Sequence, residues 1–158
     1  MQEATQFSIF LVNKPGVLAV VTGELTRARV NLIALTLMDS MEHGVLRIVC
    51  DKPDLAREVL GRTHDRWTET DVLVAELRNE PGAFASVAQK LADQHVNISY
   101  AYATAGASHG RTTAVFKVAD MKKAKKVLAA INDKAAGKAK RASRTVRKPR
   151  GGKPARRK

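Results

Sequence analysis

Apolar residues change their spacing several times along the first part of the chain. Positions 7–12 alternate with the two-residue period of a strand, and positions 18–28 carry apolar residues at the spacing of an amphipathic helix. Strand patterns at 31–38 and 45–51 follow, and then a second helical pattern from Asp54. A β-α-β-β-α order predicts an antiparallel sheet with its helices on one face, the ferredoxin-like arrangement of the α+β class.

Local signals suggest where these elements begin and end. Pro15 suits the first turn of a helix, since its missing N–H costs nothing there. Asp54 is a plausible N-cap for the second helix. The segment Glu42–Gly44 is predicted to be the hairpin turn between the second and third strands.

The pattern then repeats with an offset of 66 positions. Asn13–Gly16 recurs as Asn79–Gly82, and an ungapped alignment of 7–54 with 73–120 contains 13 identities in 48 positions. A match of this length in one register indicates an internal duplication. The further repeated pairs are Val30-Asn31 with Val96-Asn97, and His43-Gly44 with His109-Gly110.

The duplication predicts two domains, at 1–70 and 71–133. The segment Trp67–Asp71 either closes the first sheet or extends the first strand of the second copy. After Ile131 the periodicity is lost, so the second copy lacks an obvious final strand.

Positive charge is concentrated at the end of the chain. The net charge is +13, yet 12 of the 28 Lys and Arg residues and none of the 15 acids lie in 134–158. The predicted domains are therefore nearly neutral. The segment 134–158 has almost no large apolar residue and is predicted to be disordered. Its basic residues are candidates for nonspecific phosphate binding, with a solubilising extension as the alternative; the candidates are Lys138, Lys140, Arg141, Arg144, Arg147, Lys148 and Arg150.

The sequence contains no recognisable catalytic constellation. It has no glycine-rich phosphate loop, no paired cysteines and no histidines at metal-ligand spacing, so no catalytic residue, cofactor or metal is expected. His43 and His109 are interpreted as solvated turn residues. Cys50 shares the inward side of its strand with apolar residues and is interpreted as a core thiol. The protein is therefore predicted not to be an enzyme.

Two amides in each copy are the strongest chemical signal. Asn13 ends the first strand before a predicted helix start, and Asn31 opens the second strand; Asn79 and Asn97 repeat them. An amide both donates and accepts hydrogen bonds, so it suits the ammonium and carboxylate groups of a zwitterion. Gly16 would let the backbone approach a ligand closely. The alternative is that these asparagines only cap turns.

The run Asn13–Leu18, followed by Val30–Ile33 and then Gly44, resembles an ACT domain, and so does its second copy. The resemblance covers roughly residues 6–131. With two such domains, the chain is similar to stand-alone tandem ACT proteins that have no catalytic domain. It implies two βαββαβ ACT domains that bind a free amino acid at an interface between ACT units. The family often has Asp where Asn13 stands, so this site lacks a formal charge for an ammonium group.

Carried over from the family, the ligand-binding positions are the residues of the loop after the first strand and those opening the second strand. They are Asn13, Pro15, Gly16, Val17, Leu18, Asn31 and Leu32 in the first copy, and Asn79, Gly82, Ala83, Phe84, Asn97 and Ile98 in the second.

The partners expected are an amino-acid effector and a second copy of the chain. The face of the first sheet opposite its helices carries Phe10, Val12, Met38, Val45 and Val49, and an apolar surface of this kind is usually covered. We expect the other copy or a second chain to cover it. A lone cysteine and the lack of any long apolar run favour a cytoplasmic protein without a membrane span. The alternative function is a nucleic-acid-associated protein whose ACT pair serves as a dimerisation scaffold.

Overall fold

The computed structural model describes residues 2–38, 43–64, 66–104 and 110–129. Within these ranges the chain forms six strands and four helices, which confirms the α+β class. The elements are β1 (Gln2–Val12), α1 (Val17–Arg27), β2 (Leu32–Met38), β3 (His43–Cys50), α2 (Pro53–Thr63), β4 (Trp67–Arg78), α3 (Ala83–Asp93), β5 (Ile98–Thr104), β6 (Arg111–Val118) and α4 (121–129).

All six strands belong to one antiparallel sheet in the order β2-β3-β1-β4-β6-β5. Each repeat contributes three neighbouring strands, and the long strands β1 and β4 lie side by side in the centre. The two halves of the sheet are therefore continuous through the β1–β4 ladder.

Strand β4 serves both repeats. Trp67–Thr70 pairs with β1, and the Trp67 ring packs against Phe7 with ring centroids 5.8 Å apart. Leu73–Arg78 then pairs with β6. The segment Trp67–Asp71 thus closes the first sheet and also extends the next strand, so both readings of the sequence hold.

The missing final strand of the second repeat is supplied by the start of the chain. Gln2–Ala4 pairs antiparallel with Val72–Val74, on the side of β4 away from β6. The expected position after Ile131 lacks a strand pattern because the strand that completes this repeat comes from the opposite end of the sequence. Each repeat thereby has a four-stranded sheet, because β1 and β4 each act as the fourth strand of the other repeat.

The helices cover one face of the sheet and enclose two aliphatic cores. In the first core, Val21 and Leu25 of α1 are fully or almost fully buried against the odd-numbered residues of β1. The second core repeats this packing with Val87 and Leu91 of α3. These two helices were expected from the spacing of those residues, and burial of their apolar stripe stabilises them.

The face of the sheet opposite the helices is folded over so that its two halves face each other. The edge strands β2 and β5 contact each other, so the sheet curls and the two repeats cover each other's inner surface. Five small apolar residues form this inner core: Ala34, Val49, Val72, Val74 and Val115. The expectation that the first repeat's apolar face is covered by the other copy is confirmed for Val49, whereas Phe10, Val12 and Met38 remain exposed.

A hydrogen-bonded group crosses the inner surface between the repeats. The fully buried Gln6 donates from Nε2 to Tyr100 Oη at 2.8 Å, and its Oε1 accepts from Tyr102 Oη at 3.1 Å. The Arg47 guanidinium lies over the Tyr100 ring, 4.1 Å from its centroid. Burial raises the pKa of Tyr102, so its hydroxyl keeps the proton that it donates.

Three local predictions need correction. Helix α1 begins at Val17, so Pro15 lies in the turn before the helix and not in its first turn. Helix α2 has Lys52 at its N-cap, and Asp54 lies in the first turn because Pro53 already starts the helix. His43 and Gly44 belong to β3, where they pair with β1, and not to a turn. His109 and the segment 134–158 lie outside the described residues.

Candidate functional site

The loop between β1 and α1 is a tight turn set by a glycine. Gly16 has a φ of 88°, a left-handed conformation that side chains disfavour, and it stands at the N-cap of α1. Lys14 donates its backbone N–H to Val12 O at 2.9 Å. Gly16 makes no side-chain capping bond, so the first turn of α1 presents backbone N–H groups at this end.

The second repeat builds the same loop. Gly82 has a φ of 84° at the N-cap of α3, and Glu80 donates its N–H to Arg78 O at 2.9 Å. The repeated Pro-Gly pair therefore encodes a repeated backbone geometry. Asn79 donates its backbone N–H to Gly110 O at 3.1 Å, which ties this loop to the residue just before β6.

A cavity of about 350 Å³ lies beside the first loop, between the start of α1, the ends of β1 and β2, and the start of β3. Its volume falls in the roughly 300–1,000 Å³ range of small-molecule sites. Three predicted residues, Asn13, Val17 and Leu18, are brought together there. The complete described lining is Leu11, Val12, Asn13, Lys14, Val17, Leu18, Leu37, Met38 and Gly44.

Six of these lining residues were not expected from the sequence. Leu37, Met38 and Gly44 come from neighbouring strands, and Leu11, Val12 and Lys14 flank Asn13. Gly44 recurs in the second copy, and this recurrence was the signal that could have placed it at the site. A Cβ atom at position 44 would lie 3.2 Å from Met38 O, so a side chain there would intrude on the strand beside it.

Asn31 lies at the other end of the sheet from Asn13. Asn13 follows Val12, which pairs with His43 at the start of β3, whereas Asn31 precedes Leu32, which pairs with Cys50 at its end. The 8-residue strand β3 spans about 23 Å at about 3.3 Å per residue. One repeat by itself therefore does not bring its two amides to one small ligand.

The start of β2 is fixed by backbone contacts. Asn31 N–H donates to Asp51 Oδ1 at 2.8 Å, and Asp51 N–H donates to Asn31 O at 3.1 Å. The Asn31 side chain is exposed and takes no part in these two hydrogen bonds. In the second repeat, Asn97 and Ile98 line a surface cavity of about 450 Å³ near the end of α3.

The Phe84 side chain has a packing role in the second repeat. Its ring stacks on that of the buried Phe116, with ring centroids 5.1 Å apart and an angle of 25° between the planes. Its counterpart in the first repeat, Leu18, lines the cavity. The two repeats thus use the same helix position differently.

A further cavity of about 450 Å³ lies near the end of β1, lined by Phe10, His43, Arg66, Trp67 and Thr68. His43 is exposed there. The prediction for Cys50 is confirmed: the thiol is buried in the first core. Burial, with a smaller contribution from the charge of Asp51, raises the pKa of Cys50 to about 12, which keeps it protonated near neutral pH.

Among the described residues, no group of three or more His, Cys, Asp and Glu is arranged to hold a metal ion. In the same part of the chain, no helix is long and apolar enough to cross a membrane.

A family model described as an ACT domain pair matches residues 2–139. A crystallised protein from Bacteroides thetaiotaomicron is 35% identical, with a TM-score of 0.75 over 82% of this chain and 89% of that chain. The chain therefore belongs to the ACT domain pair family, and the resemblance found in the sequence is confirmed.

Regulatory subunits of aspartate kinase share the fold. The ligand-free subunit from Thermus thermophilus is 16% identical, with a TM-score of 0.63 over 84% of this chain and 93% of that chain. The subunit from Thermus flavus is 15% identical, with a TM-score of 0.56 over 84% and 92% of the two chains. None of the curated proteins compared with the chain matches it significantly.

Proposed function

We propose that the protein is a non-catalytic regulatory module that binds a free amino acid at an interface between ACT units. The observation that carries this proposal is the cavity of about 350 Å³ between Asn13 and the start of α1. The lining of this cavity combines the side-chain amide of Asn13, the ammonium group of Lys14 and the backbone amides at the start of α1 with a wall of apolar side chains. Helix starts favour carboxylates, and amides can bind either charged group of a zwitterion.

We place this interface between two chains. Asn13 and Asn31 lie at opposite ends of the same sheet, so a ligand that contacts both types of position must lie between two units. Phe10, Val12 and Met38 are 46%, 47% and 45% exposed near the same end of the sheet as the cavity. A second chain placed there would bury them and close the cavity, so we propose a homodimer. The domain limits 1–70 and 71–133 and the individual ligand contacts remain part of this proposal.

The protein acts by binding and not by covalent chemistry. Cys50 is a buried, protonated thiol, and a thiolate is the form that reacts as a nucleophile. An unpaired, reduced cysteine agrees with a cytoplasmic location.

A thermal-shift screen of the full chain against the twenty amino acids tests the proposal. A ligand present at 100 times its dissociation constant stabilises the folded state by about 2.7 kcal/mol and raises the melting temperature. Sedimentation with and without the ligand tests the dimer. Unchanged melting with every amino acid at about 10 mM, where even a millimolar site is largely filled, would refute amino-acid sensing.

A second candidate function rests on charge. The 12 basic residues of 134–158 face no acid within that segment. Such a segment attracts phosphate groups without reading sequence. In this case the ACT pair would act as a dimerisation scaffold for a nucleic-acid-associated protein.

A further inference from the structure

We infer that the cavity of the first repeat selects an amino acid with an aliphatic side chain, and that the second repeat does not share this selectivity. The inference rests on the proposed function and adds the class of ligand to it. It depends on the walls of the cavity and on the residues that replace them 66 positions later.

The cavity walls leave large apolar side chains in contact with water. Val12, Leu18, Leu37 and Met38 are 47%, 36%, 50% and 45% exposed. Of these, Leu18 and Leu37 lie outside the surface proposed for the second chain and are left for the ligand. A ligand side chain that covers them gains hydrophobic free energy in proportion to the apolar area removed from water. A polar side chain would lose hydrogen bonds to water against the same wall and gain no apolar contact.

Gly44 lets strand β2 pack closely against β3 beside the cavity. A Cβ atom at this position would lie 3.5 Å from Leu37 Cδ1 and 3.2 Å from Met38 O, so a side chain there would press on both. The missing side chain at position 44 therefore keeps Leu37 in its place in the apolar wall.

The polar end of the cavity suits a carboxylate. Lys14 is the charged residue in the described lining, and it stands in the loop that leads to the uncapped start of α1. A cation and helix amides at one end and an apolar wall at the other fix the orientation of the ligand.

The equivalent surface of the second repeat is chemically different. Val12 and Lys14 are replaced by Arg78 and Glu80, which form an ion pair at 3.2 Å. Leu37 and Met38 are replaced by Ala103 and Thr104. The second repeat therefore keeps the backbone of the loop but lacks apolar counterparts of Val12 and Met38, has only Ala103 in place of Leu37, and uses Phe84, the counterpart of Leu18, to stack on Phe116.

Calorimetric titration of the full chain with isoleucine, leucine and valine, and with serine, aspartate and lysine, tests the inference. We expect the aliphatic ligands to bind and the polar ones to bind at least about tenfold more weakly, as for a lost methylene contact in an apolar pocket. Leu37→Ser should weaken isoleucine binding by about tenfold. Its matched control, Ala103→Ser in the second repeat, should not.

A second pair of variants tests the carboxylate end. Lys14→Gln should weaken isoleucine binding and reduce its dependence on salt, whereas Glu80→Gln should leave both unchanged. Position 37 is half exposed and position 14 lies in a loop, so these changes should leave the melting temperature of the unliganded protein almost unaltered.

The possible outcomes distinguish a failure of the aliphatic selectivity from a failure of amino-acid binding itself. Preferred binding of serine, aspartate or lysine would overturn the aliphatic selectivity and leave amino-acid sensing intact. Equal effects of Leu37→Ser and Ala103→Ser would overturn the difference between the repeats. Absence of binding by every amino acid would overturn the proposed function itself.

Discussion

Thr5 lies directly opposite Asp71 in the β1–β4 ladder, and the two residues occupy the same position in the two repeats. The pseudo-twofold axis that relates the repeats therefore passes between them. Residues on either side of this pair are exchanged by the axis. This relationship explains why the start of β1 completes the second repeat while the start of β4 completes the first.

Deleting residues 1–5 should destabilise the second repeat. The deletion removes the backbone partners of Val72–Val74 and the ion pair between Glu3 and Lys125. Each lost backbone hydrogen bond contributes about 0.5–1.5 kcal/mol. Urea unfolding and amide hydrogen exchange should show the loss in β4 and α4. A chain shortened after Asp133, which keeps both ladders, is the control, and equal stability of the two shortened chains would contradict the role given to β1.

Tyr102→Phe should cost more stability than Tyr100→Phe. The first change leaves the buried Gln6 Oε1 without its donor, at a cost of about 1–3 kcal/mol for an unsatisfied buried group. The second removes an acceptor of Gln6 Nε2, which still donates to Ser8 Oγ at 3.2 Å. Denaturant midpoints of the two variants measure the difference. The reverse order would show that the hydrogen bonds to Gln6 do not hold the repeats together.

Stability should fall in alkaline solution because of Cys50. Its pKa of about 12 in the folded protein exceeds the ordinary value of 9.0, so the folded state holds the proton more tightly. This contribution is complete below about pH 9 and is lost as the pH rises toward 12. The slope reaches about 1.4 kcal/mol per pH unit for one group. Cys50→Ala should have a shallower slope in urea titrations over this range, and identical slopes would exclude the effect.

Asn31→Ala, and likewise Asn97→Ala, should weaken amino-acid binding without unfolding the protein. Each amide is expected to contribute about 0.5–1.5 kcal/mol to binding. Fold stability should change little for Asn31→Ala because the contacts with Asp51 use the backbone of Asn31. Asp51→Ala is the contrasting variant, since it removes a side-chain acceptor of that backbone. A loss of stability in Asn31→Ala with unchanged affinity would show that this asparagine only caps the turn.

Binding to nucleic acid should depend on the segment 134–158. Full-length protein should bind duplex DNA, and a chain ending at Asp133 should not, because 1–133 is nearly neutral. If about half of the basic residues contact phosphates, log affinity should fall against log salt with a slope of about −5. Amino-acid binding should be unchanged by the truncation. Gel-shift titration over several salt concentrations measures the affinity for DNA. DNA binding by the shortened chain would locate the interaction in the ACT pair.

Much of the fold could be predicted because its periodicity is local. The helix through Val21 and Leu25 and the core position of Cys50 follow from spacing within one element. The loop around Gly16 was identified by its repetition, but its helix start was placed too early. Pro15 fits a first helical turn equally well, and only the left-handed φ of Gly16 shows that the helix begins after it.

The sequence alone determined the duplication, the ACT family and the loop at Asn13, because each depends on residues that are close in the chain or repeat in register. Only the tertiary structure decided which strand completes each sheet, and that β2 meets β5 to bury Val49 against Val115. It also brought Leu37 and Gly44 to the loop, and placed Asn13 and Asn31 at opposite ends of the sheet. These relationships depend on strand pairing between distant segments and on the curl of the sheet, which the spacing of apolar residues within one element does not encode.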